Sequence, residues 1–132
     1  MVALSGEFFK QVVRHCRNEY PNEACGILAG KGAKVEQVYE MVNADKSAVT
    51  FLMDGKDQLK VIKEIRSLGL EMLGIYHSHI ASKAFPSRHD VEMAFYPEAS
   101  CVIISIQDKN NPVAKSFKIK EGRIEEEELK IV

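Results

Sequence analysis

Two histidines end an apolar segment near the middle of the chain, the run EMLGIYHSH. His77 and His79 are two residues apart, so in an extended strand both imidazoles project from one face and Ser78 projects from the other. Asp90 follows in the first turn of a predicted helix and can return a carboxylate oxygen to the same point. Two imidazoles and one carboxylate leave the fourth tetrahedral position for water, which is typical of catalytic zinc.

The ligand types also limit the choice of metal and the chemistry it needs. Imidazole nitrogens argue against magnesium and calcium, whereas iron, manganese and cobalt stay open on ligand type alone. Zinc activates a bound water at neutral pH, but a base must still take the proton and deliver it to a leaving amine. Glu23, near the start of an apolar strand, is the candidate base, and Ser87, three residues before Asp90, is the candidate oxyanion donor.

Each of these residues has a plainer interpretation when it is taken alone. An H-x-H pair is a weak metal signal, Ser87 and Asp90 together form a helix-capping box, and Glu23 is a surface carboxylate. Cys25, beside a glycine on an apolar strand, is interpreted as a small buried hydrophobe and not as a nucleophile. The two remaining histidines are interpreted as structural residues: His15 on the first helix and His89 on the third.

Taken together, the residues form one pattern: Glu23 on an early strand, then H-S-H, seven residues, a serine, two residues and an aspartate. This pattern resembles the signature of the JAMM, or MPN-plus, metalloprotease family, and every position of the signature is filled. The resemblance covers most of the chain. It implies that His77, His79 and Asp90 bind zinc, that Glu23 acts as base and then as acid, and that Ser87 supports the oxyanion.

The elements that must position these residues follow from apolar spacing and turn residues. In chain order, we predict a helix over residues 5–20, a hairpin over 23–44 that turns at Gly30 and Gly32, a helix over 54–69, a buried strand over 71–79, a helix from 87 to at least 96, a buried strand over 101–106, and two tail strands about the turn at Glu121 and Gly122. The acidic run over residues 125–128 also suits a short helix or an exposed sheet edge.

This order of elements predicts an α/β (α+β) fold in which helices flank a mixed central sheet, as one MPN-like domain over residues 1–132. The 18 basic residues nearly balance the 19 acidic ones, so no broad positive field favours nucleic acid. The chain shows no leader pattern and no apolar run long enough for a membrane span. Three cysteines without C-x-x-C spacing favour reduced thiols, and we therefore expect a cytoplasmic protein.

The chain has no obvious long insertion and resembles the short, free-standing prokaryotic members of the family. That resemblance implies a substrate that is a ubiquitin-like or sulfur-carrier protein, cut after its C-terminal Gly-Gly at a peptide or an isopeptide bond. Two alternatives stay open: a non-proteolytic zinc amidohydrolase, and a binding module that holds ubiquitin-like tails without turnover. The oligomeric state also stays open, with a homodimer as one choice.

Overall fold

The computed structural model describes residues 1–132, which form three helices and eight strands. The elements are β1 (Val2–Leu4), α1 (Gly6–Glu19), β2 (Cys25–Lys31), β3 (Lys34–Met41), α2 (Gly55–Ser67), β4 (Glu71–His79), α3 (Arg88–Glu92), β5 (Ser100–Ser105), β6 (Val113–Lys120), β7 (Arg123–Glu127) and β8 (Leu129–Ile131).

All eight strands form one sheet in the order β7-β6-β5-β4-β2-β3-β1-β8. β4, which carries both candidate histidines, lies inside the sheet, antiparallel to β2 and parallel to β5. Paired on both sides, β4 has little freedom to move. The mixed sheet with flanking helices confirms the predicted fold class.

The sheet is strongly curled. β7 and β8 occupy its opposite ends, yet only Glu128 separates them in the chain. The two ends therefore approach each other, and the amide of Val2 donates to the carbonyl of Glu128 at 3.1 Å. β1 was not predicted, because a strand of three residues is too short to show an alternating pattern, and the second predicted tail strand is divided at Glu128 into β7 and β8.

The two faces of the sheet pack against different helices. On one face, α1 buries Val12 and Cys16 against a core that includes Leu28 and Tyr76. On the other face, α2 buries Ile65 in a smaller core. Successive side chains of a strand point to opposite faces, so Tyr76 lies in the first core while His77 lies on the α2 face. The candidate site therefore forms on the α2 face.

The two longer helices begin as predicted. The Ser5 side chain accepts the amide of Phe8 at the start of α1, and the Asp54 side chain accepts two amides at the start of α2. Such caps satisfy amides that have no partner inside the helix. Measured by length and hydropathy, no helix of this chain is suited to cross a membrane.

The prediction for the third helix was wrong in length. α3 ends at Glu92, whereas the sequence pattern extended it to at least Tyr96. The i→i−4 hydrogen bonds stop after the amide of Met93, since the amide of Ala94 donates to the carbonyl of Val91, three residues back, at 3.4 Å. The released segment instead turns back over the sheet, where the Tyr96 hydroxyl donates to the side chain of Gln58 on α2 at 3.1 Å.

The acidic run in the tail forms the edge strand β7, and not a short helix. β6 and β7 form a hairpin whose turn residues, Glu121 and Gly122, both have positive φ angles, 52° and 78°. The prediction of two tail strands about this turn is confirmed.

Candidate active site

The structure brings the three predicted metal ligands together at the end of β4. Nε2 of His77 lies 3.1 Å from Nε2 of His79, and these nitrogens lie 3.1 Å and 3.0 Å from Oδ2 of Asp90. All three side chains are buried. This cluster, His77, His79 and Asp90, is called the triad below.

The donor set of the triad fits a metal ion. Nδ1 of His79 lies 3.0 Å from the carbonyl of Lys83, which can only accept, so Nδ1 carries the proton and a neutral His79 has its lone pair on Nε2. That lone pair faces Oδ2 of Asp90, another acceptor, so this contact is satisfied either by a second proton on His79 or by a metal ion between the two atoms. Ligand atoms on tetrahedral zinc are about 3.3 Å apart, close to the separations in the triad.

Asp90 is placed by the first turn of α3. The amide of Ser87 donates to Oδ2 of Asp90 at 2.9 Å, and the amide of Asp90 donates to the Ser87 hydroxyl at 3.1 Å, which completes a capping box. The hydroxyl accepts in this contact, so its own proton stays free to be donated. The same pair of residues therefore starts the helix and aims a carboxylate at the histidines.

Glu23 lies just before β2, whose residue Cys25 pairs with His77. The pairing continues beyond the strand, since the amide of Ser78 donates to the carbonyl of Ala24 at 3.1 Å. Extending this register by one more residue places Glu23 opposite His79, on the face of the triad. The Glu23 side chain is 4% exposed, and its Oε1 is buried without a hydrogen-bond partner.

Burial and the neighbouring charges together shift the pKa of each ionisable group at the site. Burial, with the Asp90 charge adding to it and His79 opposing it, raises the pKa of Glu23 to about 8. Burial lowers the pKa of His77 despite its contact with Asp90. Burial also acts to lower the pKa of His79, but the contacts with Asp90 and the Lys83 carbonyl outweigh it and raise the pKa. For Asp90, burial opposes ionisation, yet hydrogen bonds with both histidines hold its pKa far below the usual range.

A mostly apolar pocket of about 140 Å³ opens beside the triad, and His77 and Asp90 form part of its wall. Its floor is made by side chains of β4, β5 and β6, and its rim by the segment after α3 and the segment before α2. The principal apolar residues are Phe51, Met53, Ile75, Met93, Phe95, Cys101 and Ile119. A large apolar side chain that enters this pocket would therefore lie next to the triad.

The residues given a structural interpretation lie as follows. Cys25 is fully buried in the core against α2, and burial raises the pKa of its thiol to about 12, which does not suit a nucleophile. Nδ1 of His15 contacts the Tyr76 hydroxyl at 2.6 Å on the opposite face of the sheet. Nε2 of His89 is buried without a hydrogen-bond partner.

Two contacts of the triad were missed by sequence reasoning. One is the main-chain carbonyl of Lys83, which orients His79 and leaves no trace in residue type. The other is the ring of Phe51, stacked on His77 with centroids 4.6 Å apart and planes at 26°. A lone phenylalanine in a loop carries no motif that would have marked it.

Solved structures share this fold. The chain aligns over 99% of its length with a JAB1/MPN domain protein from Archaeoglobus fulgidus, at a TM-score of 0.66 and 19% identity. It also aligns over its full length with a structure described as a metalloprotease-like zinc site in the proteasome and signalosome, at a TM-score of 0.64 and 18% identity. These likenesses show that the chain shares the fold of these two structures.

The chain belongs to the family of prokaryotic homologs of the JAB domain, whose model matches residues 6–120. It is 34% identical, over all of its length and 92% of the relative's, to a Mycobacterium tuberculosis protein named CysO-cysteine peptidase. It is 43% identical to a Pyrococcus furiosus desampylase over 53% of this chain and 50% of that one. A solution structure from Desulfitobacterium hafniense matches all of this chain and 93% of that one at 41% identity and a TM-score of 0.90. The protein is accordingly a hydrolase of the JAMM/MPN family.

Proposed function

We propose that this protein is a zinc-dependent peptidase or isopeptidase that cuts after the C-terminal Gly-Gly of a ubiquitin-like or sulfur-carrier protein. The observation that carries the proposal is the triad itself, where two imidazole nitrogens and a carboxylate oxygen converge within 3.1 Å beside a buried, unpartnered carboxylate. A hydrogen-bonded structural cluster would leave no second buried carboxylate without a partner.

In this proposal each residue has one role. His77, His79 and Asp90 hold the zinc, which when bound polarises the scissile carbonyl and the attacking water. Glu23 takes the proton of that water and gives it to the leaving amine, a transfer for which a carboxylate with a raised pKa is suited. The free proton of the Ser87 hydroxyl supports the oxyanion.

The names of the relatives support the substrate class. Besides the CysO-cysteine peptidase and the desampylase, a Thermus thermophilus relative, 38% identical over 61% of this chain, is named a probable TtuB-protein conjugate cleaving protease. The name of this last relative thus gives a protein conjugate as its target. For this chain, we infer a small carrier protein whose flexible tail reaches the triad.

The shape of the site supports a thin, extended tail. β4 is paired with both β2 and β5, so the incoming chain cannot add to β4 and must lie across the end of the sheet. Glycines at the cut allow the main chain to come close to the triad, since they bring no side chain. The apolar pocket then accommodates a larger side chain elsewhere in the tail, close to the cut.

The proposal is tested with carrier proteins extended by a few residues beyond Gly-Gly, with matching short peptides, and with Gly→Val carriers, read by mass spectrometry. We expect cleavage after the second glycine, loss of cleavage with valine, and cleavage of the peptide at least ~10-fold slower, because the folded carrier contributes binding energy. Chelated protein and the His77→Ala variant are the controls.

Equal cleavage of peptide and protein, or tolerance of valine, would contradict the substrate assignment and favour a small-amide hydrolase. Stoichiometric zinc and tight carrier binding without any cleavage would contradict the peptidase assignment and favour a binding module.

A further inference from the structure

Asn43, the second residue after β3, uses its entire buried amide to bind main chain. Its Nδ2 donates to the carbonyls of Glu23 and Thr50, both at 3.0 Å. Its Oδ1 accepts the amides of Asp45 at 3.0 Å and Leu52 at 3.1 Å. Asn43 is only 8% exposed, so these four bonds replace water. The side chain is therefore a junction between two separate stretches of the chain.

The junction links two residues that face the triad. Glu23 is held through its carbonyl by Asn43, and its amide donates to the carbonyl of Ser47 in the same segment at 2.8 Å. Phe51 lies between Thr50, whose carbonyl accepts from the same Nδ2 of Asn43, and Leu52, whose amide donates to Oδ1 of Asn43. Segment 43–52 thus binds the main chain of Glu23 through Asn43 and Ser47, and it carries Phe51 near its other end.

Phe51 in turn stacks on His77, whose ring is held at Nε2 by the triad but has no hydrogen bond at Nδ1. The ring of His79 is oriented by the Lys83 carbonyl, but Nδ1 of His77 is buried without a hydrogen-bond partner. Metal-binding histidines usually donate that second nitrogen to a partner that fixes the ring. Rotation about the bond to the imidazole is otherwise soft. The Phe51 ring lies against the imidazole with centroids 4.6 Å apart, a contact that limits this rotation.

We propose that Asn43 and Phe51 form one positioning unit for the metal site. Asn43 fixes the main chain of Glu23 and of the residues beside Phe51, and the Phe51 ring fixes the plane of the His77 imidazole. Neither side chain touches the reacting atoms, so both are positioning residues. The inference rests on the proposed role of the triad in binding zinc. It adds an account of how Glu23 and His77 are held in position relative to each other.

The Phe51 step is tested by zinc affinity, measured without substrate by competition with a chromophoric chelator. Phe51→Leu should weaken zinc binding by ~10–100-fold, as loss of a ligand-orienting contact does. Phe51→Tyr keeps an aromatic ring at this position and should bind zinc as tightly as wild type. Phe95→Leu is the matched control, since Phe95 lines the same pocket but does not stack on His77. The absorption bands of the cobalt-substituted protein should change in Phe51→Leu and stay as in wild type in the other two.

Wild-type zinc affinity in Phe51→Leu would overturn this step. So would an equal loss in Phe51→Tyr or in Phe95→Leu, because the effect would then not come from the stacked ring.

The Asn43 step is tested with Asn43→Asp, which keeps the two acceptor bonds but sets a carboxylate oxygen against two carbonyls. It should weaken zinc binding about as much as Phe51→Leu and also lower kcat at saturating zinc, because Glu23 loses its support. If Asn43 acts on zinc through Phe51, the double variant should bind zinc within ~2-fold of Asn43→Asp alone. The exposed Asn110→Asp is the control.

Additive losses in the double variant, or an unchanged zinc affinity and kcat in Asn43→Asp, would overturn the unit. Circular dichroism of each chelated variant checks that it is folded, and the Phe51 series does not depend on Asn43→Asp folding. If wild-type protein bound no zinc, the proposed function would fail together with this inference. If only the variants behaved like wild type, the inference alone would fail.

Discussion

Asp90 shows how one side chain serves the fold and the candidate site at once. Its Oδ2 accepts the Ser87 amide in the capping box and faces both imidazole nitrogens of the triad. The plain and the functional interpretations of the Ser87–Asp90 pair therefore do not compete. Both interpretations follow from residue type, spacing and the resemblance to the JAMM signature, whereas Phe51 and the Lys83 carbonyl contact the triad without any sequence motif.

Glu23→Gln should keep the zinc but lower kcat by ~10²–10⁴, because the amide keeps the shape of the side chain and cannot accept a proton. Ser87→Ala should cause a smaller loss with KM nearly unchanged. Zinc content and steady-state cleavage of the carrier measure both, with the exposed Glu92→Gln as control. Full turnover by zinc-loaded Glu23→Gln would mean that another group is the base.

The metal-free protein should lose stability as pH rises, because of Glu23. Its pKa rises from an ordinary value of 4.5 to about 8 on folding, so the neutral form stabilises the fold at low pH and this stability is lost as pH rises through 8. Between pH 6 and pH 9, chelated wild type should lose ~2 kcal/mol relative to chelated Glu23→Gln, in which no charge can form at this position. Urea unfolding at both pH values measures the difference; parallel pH profiles for the two proteins would contradict it.

At the scale of elements, prediction succeeded where a pattern repeats and failed where pairing is non-local. α1 and α2 are long enough to show their apolar period, and β4 is predicted by a run that is apolar on both faces. β1 and β8 have three residues each and exist only because the two ends of the chain meet in the curled sheet. α3 starts where its capping box predicts and ends at Glu92, four residues before the predicted end at Tyr96.

The pairing of β2 with β4 depends on Gly26, which lies opposite Tyr76. A Cβ at this position would overlap the ring of Tyr76, which is fully buried and cannot move away. Gly26→Ala should therefore lower stability by ~2 kcal/mol, a fall of roughly 5–10 °C in Tm. Gly6→Ala is the matched control, since a Cβ there meets nothing within 4 Å. A Tm for Gly26→Ala within a degree of wild type would contradict this prediction, because the added Cβ would then fit beside Tyr76 without loss of stability.

At the scale of the whole molecule, the curled sheet gathers residues that are far apart in the chain. Glu23 enters from the strand on one side of β4, the histidines end β4 itself, and Asp90 returns on the short helix that follows. The order of these motifs in the sequence was enough to predict their meeting. The apolar pocket was not predicted, because its walls come from three strands and two loops.

The central claim is that the triad binds one zinc ion as the active metal of a peptidase. Anomalous X-ray diffraction, recorded above and below the zinc absorption edge on crystals of the zinc-loaded protein, tests it most directly. The account predicts one strong anomalous peak per chain, about 2.0–2.2 Å from Nε2 of His77, Nε2 of His79 and Oδ2 of Asp90. No peak at this position, or a peak held by other residues, would contradict it.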